Sequence, residues 1–213
     1  MKLIRLLTLG CIAIIAISWF SHSKPWKKTK AFYLPKKQTS YTTTDKTTKK
    51  LEQKVAEAKQ FVQRKGYNES VCFLIDMSLP SGQNRFYIYD LKKDSLQEAG
   101  LVAHGNCFEN WLEGRKYSNT VGSGCTSLGK YKIGIHYYGK FGYSYKLHGL
   151  DNSNNNAFER TVVLHSHSCI PETEVAEEIC QSNGCPTVSP GFLEQLKKII
   201  NASKKPVMLW IYE

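Results

Sequence analysis

Residues 165–186 read HSHSCIPETEVAEEICQSNGCP, with two histidines and three cysteines in 22 positions. A zinc cage, a disulfide and a nucleophile all fit that composition. Just upstream, TVVLHS (161–166) is an apolar, β-branched run that reads as a strand delivering His165 at its end. Downstream, SNGCP (182–186) places Cys185 in a tight turn, where Gly184 lets the backbone bend sharply. Free amides of such a turn can point at a developing oxyanion. A thiol beside an imidazole is expected to form a thiolate–imidazolium pair with a lowered thiol pKa.

Outward from this stretch, short β-rich runs dominate: SVCFLIDM from Ser70, RFYIYDL, GLVAHG, GKYKIGI, YSYKLHGL and the terminal PVMLWIYE, separated by PSGQ, YGKFG and DNSNNN. One helix follows the quoted stretch in SPGFLEQLKKIIN, with Ser189 as N-cap, Pro190 in the first turn, and Phe192, Leu196 and Ile199 or Ile200 as its buried stripe. Another precedes the strands over residues 49–66, where Leu51, Val55, Ala58 and Val62 recur at helical spacing and Gly66 is a natural stop. The expected fold is mainly β, a sandwich or partly open barrel with peripheral helices, over residues 67–213.

The N-terminal third differs in kind. Residues 1–23 hold Lys2, Arg5 and the apolar run LLTLGCIAIIAISWF (6–20), the layout of an export signal or an uncleaved membrane anchor. Cys11 after LTLG makes a poor lipoprotein box, because the apolar run continues past it. Residues 24–48 are Lys- and Thr-rich without apolar periodicity, an extended tether. The formal charge of +11 is concentrated here: residues 1–65 carry 15 Lys/Arg against 3 Asp/Glu, and residues 66–213 carry 14 against 15. A basic arm on a near-neutral domain suits membrane headgroups or an acidic wall polymer, and equally a solvated linker. No nucleic-acid-binding signature accompanies the charge. The domain is expected outside the cytoplasm, in the periplasm or cell envelope.

The cysteines and the quoted stretch together reach a known family. A histidine closing a strand, followed along the chain by an SxGC turn, resembles the L,D-transpeptidase (YkuD-type) catalytic domain of bacterial cell-wall enzymes. The SxGCP subgroup shows six motifs that occur here in the same order: Ala103-His104-Gly105, Ser118-Asn119, Ser123 with TSLGKY (126–131), GLDNSNNNAFER (149–160), VVLH (162–165) and SNGCP (182–186). The resemblance covers residues 68–213. It implies Cys185 as nucleophile, His165 as its base, the Ser166 carbonyl as the group holding the imidazole, and the amides of Gly184 and Cys185 as oxyanion donors. Ser182 and Asn183 would shape the turn, Arg160 would meet a substrate carboxylate or form a structural salt bridge, and His104 and Ser118 would line the substrate groove.

The implied chemistry is acyl transfer on peptidoglycan stem peptides. Cys185 would attack the carbonyl between the third residue and the terminal D-alanine of a tetrapeptide, and a neighbouring stem's amine would resolve the thioester into a 3-to-3 cross-link. Resolution by water would make the same site an L,D-carboxypeptidase. Better-known members have SHGC followed by Ile or Val and then Arg or Asn, where this chain has Asn183 and Pro186-Thr187. That departure leaves open a noncatalytic wall-binding module. The acidic insertion IPETEVAEEICQ (170–181) is read either as a lid or as a projecting loop.

Seven cysteines in an exported chain invite pairing. The expectations are Cys169–Cys180, Cys107–Cys125 and a buried Cys72. The zinc alternative would draw on His165, His167, Cys169, Cys180 and Cys185, although these spacings match no standard cage. No cofactor is implied, and the chain is expected to act as a monomer. His136, His148 and His167 read as structural, and the tyrosines of HYYGKFGYSY as cross-strand packing.

Overall fold

The structure, a computed structural model, describes residues 45–213; the expected anchor at 1–23 and most of the tether at 24–48 lie outside the described residues. Helix α1 spans Asp45–Lys65, starting four residues before the stretch whose apolar spacing announced it. Its stripe of Leu51, Val55, Ala58 and Val62 is buried as the periodicity requires. Among the described residues, no helix is long and apolar enough to cross a membrane.

Nine strands follow: β1 Val71–Asp76, β2 Phe86–Asp90, β3 Ser95–Gly100, β4 Val102–Ala103, β5 Gly129–Gly139, β6 Gly142–Gly149, β7 Val163–Ser166, β8 Thr187–Val188 and β9 Met208–Tyr212. Helix α2, Pro190–Ala202, lies between β8 and β9, and its N-cap is Ser189, whose hydroxyl accepts the Phe192 amide. The sheet order is β3-β2-β1-β9-β5-β6-β7-β8-β4. Its two edges, β3 and β4, are separated in sequence by Leu101 alone, so the sheet curls until it nearly closes on itself. This is the partly open barrel expected from the sequence, with helices at its periphery.

Alternation sorts each strand's side chains. Phe73 and Ile75 of β1, Phe86 and Ile88 of β2, and Leu209 and Ile211 of β9 point into the main core, where Phe192, Leu193 and Leu196 of α2 join them. The opposite face of β9 meets α1: the ammonium of Lys54 lies 4.4 Å from the Trp210 ring centre, and Lys50 pairs with Asp76 at 3.0 Å.

Arg85 fastens the seam of the barrel. It is fully buried, and its amide donates to Gly100 at the end of β3. Its Nε and Nη2 both donate to the carbonyl of Val102 in β4, at 3.1 and 2.7 Å, while Nη1 donates to Leu79. Burial pulls the guanidinium pKa down to about 9, with Arg115 a second cause, so Arg85 remains charged at neutral pH.

The acidic insertion is neither a free lid nor a projecting loop. Ile170 and Ile179 join Leu101 and Ala103 in a second small core, and a Cys169–Cys180 disulfide closes the segment. The Glu172 carboxylate accepts from Ser189 Oγ and the Gly191 amide, Glu174 accepts from the Asn84 amide, and Glu178 holds Ser81 and Arg115. The segment is thus strapped along the seam, from the loop after β1 to the start of α2.

Candidate active site

Strand β7 is paired with β6 on one side and with β8 on the other, and it carries His165 into a buried position. The His165 Nδ1 lies 3.1 Å from the Ser166 carbonyl. A carbonyl only accepts, so Nδ1 carries a proton. The opposite nitrogen, Nε2, lies 3.0 Å from the Thr187 hydroxyl, which the parallel register His165↔Thr187 places beside it. The Phe141 ring, from the β5–β6 turn, stacks on the imidazole at 4.3 Å between centres.

Cys185 sits on the turn that leads into β8. Its Sγ accepts the Val163 amide at 3.5 Å and lies 4.0 Å from the Thr161 carbonyl. Burial pushes its thiol above the ordinary range, although the Val163 amide and the Arg160 cation pull the other way. Burial also lowers the pKa of His165, opposed by the Ser166 carbonyl and reinforced by His167. Both shifts run against the ion pair anticipated from thiol and imidazole proximity. The cause is desolvation, which disfavours both charged forms.

The rate of Cys185 alkylation by iodoacetamide, followed by mass mapping, should still be climbing with pH beyond the ordinary thiol value of about 8.5. A plateau already reached below pH 7 would instead mean that the ion pair exists at rest.

The turn itself is tightly built. Gly184 holds φ at +103°, and a Cβ there would come within 2.7 Å of the Cys125 carbonyl oxygen. Ser182 Oγ donates to the Cys185 carbonyl at 2.7 Å and accepts the Gly184 amide at 3.2 Å. The Gly184 amide is thus spent inside the turn and is not the free oxyanion donor that was expected. The Cys185 amide makes no hydrogen bond among the described residues. Asn183 is exposed at the apex. Ser182 is also bridged to Gly105, and its amide donates to the His104 carbonyl.

One expected groove residue, His104, is buried in the scaffold. His104 is 1% exposed, with Nδ1 3.2 Å from Arg85 Nη2. Burial together with the Arg115 and Arg85 cations drives its pKa down to about 3, so it is a neutral histidine behind the turn. Arg160 donates Nη1 to the Ser118 carbonyl at 2.7 Å and Nη2 to the Cys125 carbonyl, forming neither a salt bridge nor an open carboxylate fork. Ser118 is tied in turn to Thr126 through its amide, and its hydroxyl accepts from Thr120. A Cys107–Cys125 disulfide secures the same loop, so both anticipated pairs form while Cys72 and Cys185 stay free.

With Cys169 and Cys180 bonded to each other, the alternative zinc set loses two of its thiolates. Among the described residues, no cluster of three or more metal-ligating side chains occurs. The other described histidines have partners away from the site: His136 stacks on Tyr143, His148 on Phe158, and His167 Nδ1 accepts the Cys169 amide. Sequence reasoning missed Thr187 and Phe141. Their only signals were a hydroxyl two residues after the nucleophile and an aromatic residue in a glycine-flanked turn.

The family profile for the L,D-transpeptidase catalytic domain matches residues 42–212, and the chain belongs to that family. Solved structures similar to it include an L,D-transpeptidase from Mycobacterium smegmatis, at 9% identity and a TM-score of 0.40, covering 68% of this chain and 59% of that one. The helical cell shape determining protein Pgp2 from Campylobacter jejuni is 14% identical with a TM-score of 0.44, over 68% of this chain and 47% of that one. An L,D-transpeptidase from Xylanimonas cellulosilytica is 16% identical with a TM-score of 0.38, over 72% and 68%. The chain spans about half to three fifths of the first two, and family membership rests on the profile match. No curated protein sequence matches the chain.

Proposed function

We propose that the chain is a cysteine L,D-transpeptidase acting on peptidoglycan stem peptides. The observation that carries this is the imidazole of His165, fixed through Nδ1 by the Ser166 carbonyl on the strand beside the Cys185 turn. That arrangement puts the basic lone pair of the ring at Nε2, beside the Thr187 hydroxyl.

Sγ of Cys185 attacks the carbonyl between the third residue and the terminal D-alanine of a tetrapeptide, and its proton passes to His165. The carbon–nitrogen bond breaks, the imidazolium returns the proton to the departing amine, and D-alanine leaves a thioester on Cys185. The Cys185 amide supports the oxyanion, and the exposed Asn183 faces the substrate. Ser182, Arg160, Ser118 and His104 hold the turn in place. A neighbouring stem's amine then attacks the thioester, giving a 3-to-3 cross-link. The site needs no cofactor, and the chain works as a monomer held at the membrane or released into the envelope by its N-terminal segment.

The test is mass spectrometry of a disaccharide tetrapeptide incubated with the full chain and with its Cys185→Ala variant. Cross-linked dimer that disappears in the variant is the expected result. Loss of D-alanine without dimer would make the enzyme a carboxypeptidase, and unchanged substrate with folded protein would make it a noncatalytic wall-binding module.

A further inference from the structure

The Thr187 hydroxyl has one proton and two acceptors within reach: His165 Nε2 at 3.0 Å and the Cys185 carbonyl at 3.2 Å. It is buried, as is His165, so water does not stand in for either partner. Which acceptor takes the proton depends on the charge state of the ring. With Nδ1–H committed to Ser166, a neutral imidazole offers only a lone pair at Nε2, and Thr187 must donate to it. An imidazolium has a proton at Nε2, so Thr187 must accept there, and its own proton is free to turn to the Cys185 carbonyl. That carbonyl already accepts Ser182 Oγ and has a second lone pair to give.

We propose that Thr187 is a hydrogen-bond switch for the His165 base, donating to Nε2 at rest and rotating onto the Cys185 carbonyl when Nε2 takes the nucleophile's proton. This rests on the proposed role of the Cys185–His165 pair. The step balances: the S–H bond breaks, the N–H bond forms at Nε2, thiolate and imidazolium result, and the Thr187 proton moves only by rotation about Cβ–Oγ. Thr187 is a positioning residue, because it acts through His165. It stands where this chain departs from the better-known SHGC pattern.

A hydrogen bond to a charged donor is stronger than one between neutral groups, so the switch favours the imidazolium over the neutral ring. The other ionisable groups around the pair are His167 beside His165, and Arg160 and Tyr131 near Cys185. Lys140 leans over Phe141, the ring stacked on His165. None of these four reaches Nε2 by a hydrogen bond.

The experiment is nitrogen-15 NMR of the histidine rings of the full chain, without substrate, so that its outcome is independent of whether the chain is a transpeptidase. In the wild type at neutral pH, His165 should be the Nδ1–H tautomer with an unprotonated Nε2 receiving a hydrogen bond. The His165 titration midpoint should fall by about one pH unit in Thr187→Val and stay close to wild type in Thr187→Ser. Valine is β-branched and nearly isosteric in a strand position, so the fold should survive. An Nε2–H tautomer in the wild type overturns the proposal without any variant. An unchanged midpoint in a folded Thr187→Val protein also overturns it.

Discussion

Gly184→Ala should lower thioester formation at Cys185 by at least about 100-fold while leaving a folded protein. Two independent facts converge on this position. The backbone sits at φ +103°, which an L side chain adopts only with strain, and the new Cβ would stand 2.7 Å from the Cys125 carbonyl oxygen. That carbonyl cannot easily retreat, since Arg160 holds it and a disulfide ties Cys125 to Cys107. The turn must therefore move, and it carries the Cys185 sulfur and amide with it. The strain adds about 1–2 kcal/mol to the folded state, a fraction of the stability of an ordinary domain. Rate measurement on a tetrapeptide donor, alongside a thermal melt, separates the two effects. Wild-type turnover in the variant would show that the turn geometry does not position the nucleophile.

Arg85→Ala should cost about 3–5 kcal/mol of stability, the largest effect of any single change away from the nucleophile. Four of the guanidinium's contacts disappear together: two to Val102, one to Leu79 and one to His104 Nδ1. The buried Val102 carbonyl is left with no water to replace the donor, and a cavity opens where a fully buried side chain stood. The seam between β3 and β4 loosens, and with it the His104–Ser182 contact that backs the nucleophile turn. Denaturant titration followed by circular dichroism reads this as a fall in midpoint. A change under about 1 kcal/mol would mean that the closure of the sheet does not depend on the arginine.

What the sequence revealed, and what it concealed, divides along physical lines. Periodicity located α1, because Leu51, Val55, Ala58 and Val62 face one way, and Ser189-Pro190 announced the start of α2. The strand TVVLHS and the turn SNGCP were readable because apolar β-branched runs and glycine turns are local signals. Strand β3 was not readable: SLQEAG lies at the sheet edge, where its burial does not alternate. β8 is two residues long and exists only through its neighbours β7 and β4.

The site shows the same division. Residue identity pointed to Cys185 and His165, but their protonation depends on burial, which no local pattern encodes. Gly184 was recognised for its conformational freedom, whereas the loss of its amide to Ser182 is a property of the folded turn. Arg160 looked like a carboxylate fork until the loop carrying Ser118 and Cys125 placed two carbonyls in front of it. Thr187 became legible only once parallel pairing set it against His165. The role of the insertion was equally hidden, since the partners of Glu172, Glu174 and Glu178 lie elsewhere in the chain.

Whether Cys185 carries the acyl group is read by intact-protein mass spectrometry of the chain quenched in acid seconds after mixing with a disaccharide tetrapeptide. The expected result is an adduct equal to the donor minus D-alanine, mapped to the peptide containing Cys185 and absent in Cys185→Ala. An adduct on any other residue, or turnover that persists in the variant, would contradict it.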